Sequence, residues 1–142
     1  MASLVYYGSP RQARLVAAET LPAKLDLILD RLHLRDRVRD EVVALKVHTG
    51  VNISYSVIHP VFIRKVVQAI KDGGGKPFLV DLDWVVNGAE SRGYSPEVIG
   101  CPIYPAAGPN ERHFYAHERP YKNLDTWKVC GLIEEASFLV NF

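Results

Sequence analysis

The sequence has little cysteine, no excess charge of either sign and no long hydrophobic run. Its two cysteines, Cys101 and Cys130, are too few for a disulfide framework. They are also too few to supply the four thiolates of an iron–sulfur cluster, so none is expected to be held by this chain alone. Seventeen Lys+Arg stand against 16 Asp+Glu, a net charge of +1, which argues against nucleic-acid or membrane-surface binding through bulk charge. The longest nearly apolar stretch, residues 42–47, is far too short to span a bilayer and contains Lys46. No basic segment leads into an apolar one at the start, so no signal peptide is expected. The expected location is the reducing cytoplasm.

What is present suits one globular domain over residues 1–142, with 48% hydrophobic and 23% charged residues. Strand and helix alternate along the first two thirds. Leu4-Val5-Tyr6-Tyr7 reads as a short strand closed by Gly8-Ser9-Pro10. Thr20 is placed to cap a helix over residues 21–32, with Leu21, Leu25, Ile28, Leu29 and Leu32 on one face. Residues 41–48 are apolar on both faces until their end, as an interior parallel strand requires. A loop over residues 49–59 is long beside the usual βα connection of about 2–6 residues. Pro60 opens a second helix to about Asp72, with Phe62, Ile63, Val66, Val67 and Ile70 as its buried stripe. Gly73-Gly74-Gly75 stops it, and residues 76–83 form the next strand.

Beyond Trp84 five prolines interrupt a tyrosine- and glycine-rich stretch. Residues 95–100 read as a helical turn and 132–136 as another. Strands are expected over 112–117 and 126–129, and a buried strand over 137–142. This pattern gives an α/β fold of three layers, a mostly parallel sheet with helices on both faces. A sheet ending on a buried strand is expected to be completed by a second copy, a companion chain or further sequence.

Three segments carry a resemblance. They are Val42-Val-Ala-Leu-Lys-Val-His-Thr-Gly50, the run from His59-Pro60 through Gly-Gly-Gly-Lys-Pro-Phe-Leu-Val to Asp81, and Gly131-Leu-Ile-Glu-Glu-Ala-Ser-Phe-Leu-Val-Asn141. Together they resemble the domain of unknown function 362 family, often labelled uncharacterised iron–sulfur-centre proteins. The resemblance implies an α/β fold with a pocket at the strand ends, and that this chain is the N-terminal part of a longer family domain. The cluster cysteines of many members are missing here, and Asp81-Leu82-Asp83 stands where Asp-Thr-Asn is usual.

Spacing points to the same pocket. Lys46 and His48 share a face at the carboxyl end of one strand, and Asp81 and Asp83 share a face at the end of the next. A right-handed crossover through the intervening helix sets those strands side by side, and α/β sheets bind ligands beyond such ends. His48, Asp81, Asp83 and His59 are therefore candidate metal ligands, because imidazole with carboxylate suits zinc, iron or manganese. Magnesium enters through a rival likeness, in which Asp81 and Asp83 resemble the nucleophile and acid/base of haloacid-dehalogenase-type phosphatases. Lys46, Gly50, Asn52 and Ser54 are candidate contacts for a small or anionic ligand, helped by the free N–H groups at the start of the 60–72 helix. The competing expectation is a non-catalytic structural or interaction domain, with Lys46 paired to Asp81 and His48 bonded to the loop. His113 and His117 fall in an extended segment, about 13 Å apart at 3.3 Å per residue, and cannot share an ion. Cys101 and Cys130 are expected to be buried thiols.

Overall fold

The computed structural model describes residues 3–51 and 56–142. Its centre is a wholly parallel sheet of β1 (Val42–Lys46), β2 (Lys76–Asp81), β3 (Ile103–Pro105) and β6 (Phe138–Asn141), in the spatial order β3-β2-β1-β6. A separate antiparallel pair joins β4 (Phe114–His117) to β5 (Trp127–Cys130). The helices are α1 (Leu21–Arg31), α2 (Leu34–Arg37), α3 (Pro60–Asp72), α4 (Asp83–Val86), α5 (Pro96–Ile99) and α6 (Gly131–Glu134). The α/β class and the adjacency of β1 and β2 follow the sequence pattern.

Strand alternation divides the core in two. Val43, Leu45, Val47 and Leu79 face one way and pack on Ile63, Val66, Val67 and Ile70 of α3, with Leu29, Leu34 and Ile99 around them. All four α3 side chains are fully buried. Each such side chain stabilises the fold by about 1.5–3 kcal/mol, which anchors the helix to the sheet. Ala44, Val80 and Ala106 face the other way, under Leu132, Ile133 and Ala136 of α6 and its flank. This second layer is thinner, since α6 has four residues and only Cys130 of the β4–β5 pair adds to its cover.

Helix α3 keeps the bounds expected from its stripe. Gly74 supplies the left-handed turn that ends it, with φ of 85°. Elsewhere the expectations need correction. Residues 4–7 form no strand. Neither edge of the parallel sheet takes them up. The Lys24 ammonium instead ties the arm to α1, donating to the carbonyls of Ser9 at 2.6 Å and Arg11 at 2.8 Å. Thr20 does not cap α1, because its hydroxyl donates to Ala17 O at 2.7 Å. On α1 only Leu29 is fully buried, and Leu21 and Leu32 stay exposed. The final strand is a half-buried edge rather than a buried strand, with Leu139 open to solvent. Strand β2 stops at Asp81, and Asp83 begins a helix instead of continuing the strand.

Candidate functional site

The site is built where β1 and β2 end. Asp81 is the last residue of β2 and is 2% exposed. Its carboxylate is fully engaged. Oδ2 accepts from the Thr49 N–H at 2.8 Å and the Thr49 hydroxyl at 3.1 Å. Oδ1 accepts from the Leu82 N–H at 3.0 Å and the Lys46 ammonium at 3.2 Å. The His48 Nδ1 stands 3.7 Å from Oδ2, too far for a hydrogen bond but close enough to feel the charge. Burial opposes ionisation of this carboxyl. The N–H groups of Thr49 and Leu82 and the charge and hydrogen bond of Lys46 together outweigh it, and hold the group below the usual carboxylate range.

The strand register explains how these groups meet. Lys46 is in register with Val80, so it projects to the α6 face, whereas Asp81 shares the α3 face with Leu79. The two side chains approach each other because the ladder ends there. The ammonium also donates to Val47 O at 3.0 Å, which holds it at the strand end. Thr49, fully buried, shares Asp81's side by alternation past Leu45 and Val47. Gly50 then turns the chain with φ of 89°. A Cβ there would stand 2.7 Å from Val57 Cγ1.

The remaining candidates separate from this cluster. His59 caps α3, its Nδ1 accepting from the Val61 N–H at 3.2 Å. The Phe62 N–H donates to His59 O at 2.9 Å, and Pro60 has no N–H, so the start of α3 is largely satisfied by its own residues. Asp83 opens α4, and its Oδ2 accepts from the Asn110 N–H at 3.2 Å. Among the described residues no three His, Cys, Asp or Glu side chains gather as a metal group. Asn52 and Ser54 lie outside the described residues. A phosphatase nucleophile needs a carboxylate oxygen open to its substrate, and both oxygens of Asp81 are engaged. His113, just before β4, and His117, its last residue, face separate glutamates, Glu135 at 3.0 Å and Glu134 at 3.4 Å.

A family model described as a domain of unknown function (DUF362) matches residues 43–142. The chain belongs to this family. The matched DUF362 segment contains both strands of the site, with Lys46, His48, Thr49 and Asp81. Comparison with curated proteins finds no match. Comparison with solved structures also finds none. No helix among the described residues is long and apolar enough to cross a membrane.

Two contributors to this candidate site were not singled out by sequence reasoning. Thr49 lies beside His48 in the strand-end motif, and its hydroxyl was the available signal. Arg92 is distant in sequence and gave none. Its guanidinium donates from Nε to Thr49 O at 2.6 Å and from a terminal nitrogen to Val85 O at 3.0 Å. A separate concavity of about 310 Å³ is lined by Val42, Phe78, Tyr104, Leu132, Glu135 and Ala136. It lacks convergent donors.

Proposed function

We propose that this chain binds a small anionic ligand at the carboxyl ends of β1 and β2, with Lys46 and His48 as its contacts. One observation carries the reading. A buried carboxylate holds a lysine on one oxygen and faces a histidine with the other, yet the lysine and histidine side chains remain 32% and 59% exposed. A carboxylate serving the core alone has no need of two accessible basic partners. Here Asp81 orients them, and their outer surfaces offer N–H donors to an anion arriving from solvent. The position beyond parallel strand ends is where α/β sheets commonly take ligands.

Pyrophosphate is a suitable probe, followed by amide shifts in two-dimensional NMR spectra. Saturable shifts at residues 46–50 and 82 are expected. Lys46→Met and His48→Gln are each expected to weaken the affinity about tenfold. No saturable shift in the wild type, or unchanged affinity in both variants, overturns the reading.

A second reading has its own support. His48 Nδ1 and Asp81 Oδ2 face each other at 3.7 Å, and a divalent cation such as zinc, iron, manganese or magnesium would fit between them by displacing the Thr49 hydroxyl from Oδ2. It predicts stoichiometric metal in protein purified from supplemented medium, lost in His48→Ala. The anion reading predicts equal metal content in both proteins.

A further inference from the structure

We infer that Arg92 is the positioning residue of the strand-end site, acting through Thr49; this rests on the reading of that site as functional. Thr49 is fully buried and held from two sides. Its N–H and hydroxyl are taken by Asp81 Oδ2, and its carbonyl accepts from Arg92 Nε at 2.6 Å. The same guanidinium donates to Val85 O in α4 at 3.0 Å. Arg92 thus ties the exit of β1 to the helix that follows β2. The strap crosses between the two chain segments that carry Lys46–His48 and Asp81.

The packing around the guanidinium is close. A Cβ on Gly50 would stand 3.2 Å from Arg92 Nε, and one on Gly88 3.0 Å from a terminal nitrogen. The side chain therefore lies in a notch between two glycines, where its planar fork meets two carbonyls at fixed directions. Lysine has one donor centre and cannot reproduce that fork. Releasing Thr49 O frees the Thr49–Gly50 peptide plane, and the rotation this allows about the Thr49 Cα loosens the hydroxyl and N–H that fix Asp81 Oδ2. The carboxylate that faces His48 then loses its orientation. Arg92 touches no ligand in this scheme. It sets the geometry of the groups that do.

The test compares wild type, Arg92→Met and Arg92→Lys by amide hydrogen exchange and by the ring-carbon shifts of His48. Thr49 amide exchange is expected to quicken about tenfold in Arg92→Met relative to the β1 and β2 ladder amides, with a smaller change in Arg92→Lys. The His48 ring signals are expected to move in the same order. A change in Thr49 no larger than that in the ladder amides, with unmoved His48 signals, overturns the inference. If Arg92→Met does not fold, Arg92→Lys decides by the same criterion. These readouts need no ligand, so failure of pyrophosphate to bind the wild type counts against the site's function alone. Unchanged Thr49 exchange with intact pyrophosphate binding counts against Arg92 alone.

Discussion

Lys46 and Asp81 form an ion pair at 3.2 Å although the strand register sends their side chains to opposite faces of the sheet. Inside the ladder such a contact is blocked by the intervening backbone. At the strand ends the ladder stops, and the lysine ammonium donates to the Val47 carbonyl as it reaches the carboxylate. The contact is a property of where both strands terminate.

Acid is expected to remove the contribution of Asp81. Its folded pKa lies below the ordinary value, so its stabilisation is present above the unfolded-state pKa of about 3.9 and is lost as pH falls through the lower folded pKa. Asp81→Asn is expected to cost about 1–3 kcal/mol at neutral pH, since Lys46 and Thr49 lose a charged acceptor. Thermal unfolding of both proteins between pH 2 and 7 checks this. The gap in Tm is expected to narrow below pH 4, and a gap constant over the range contradicts the role given to Asp81.

Thr49→Val separates hydroxyl from backbone. It keeps the N–H bond to Oδ2 and removes the hydroxyl bond at 3.1 Å. The expected loss is about 1 kcal/mol in urea unfolding, with acid unfolding moved to higher pH because one group holding the carboxylate ionised is gone.

Two glycines with similar backbones are expected to respond differently to alanine. Gly50 and Gly74 have φ of 89° and 85°, so each substitution carries about 1 kcal/mol of left-handed strain. At Gly74 the new methyl meets nothing within 4 Å, whereas at Gly50 it meets Val57 at 2.7 Å. Gly50→Ala is therefore expected to lower Tm further than Gly74→Ala. Equal effects contradict the close packing beneath the site.

The thiols are expected to differ in reactivity. Cys101 is buried, and desolvation pushes its pKa up to about 11, against weaker opposing effects from the Leu79 N–H and Lys71. At pH 8 only about one molecule in a thousand carries its thiolate. Cys130 is also raised, again by desolvation first, but it is only half-buried. Iodoacetamide labelling read by peptide mass spectrometry is expected to modify Cys130 first and Cys101 only on unfolding. Early labelling of Cys101 contradicts its burial.

Local chemistry carried much of the fold into the sequence. Helix α3 was legible to the residue because an apolar stripe, a proline at its first position and a glycine stop coincide there. The short β4, β5 and α6 were legible only to within one or two residues, since four residues carry little of either period. The segment at residues 4–7 shows the limit of propensity. Its residues favour a strand, but a strand needs a ladder partner, and propensity cannot supply one. The site divides in the same way. Lys46, His48 and Asp81 were legible because strand ends in a parallel sheet collect at one edge. Asp83 was misplaced, since strand spacing was continued past the point where the chain turns into α4.

The sequence by itself determined the type and order of α1, β1, α3, β2, β4, β5, α6 and β6, and which basic and acidic side chains stand at the ends of two neighbouring strands. These follow from periodicity, proline and glycine, all of which act over a few residues. Only the tertiary structure decided the register of β1 on β2, the clasp of Thr49 on Asp81 and the strap from Arg92. Those depend on pairings between residues 32 to 43 positions apart, and such contacts are fixed by packing of the whole sheet rather than by any local preference.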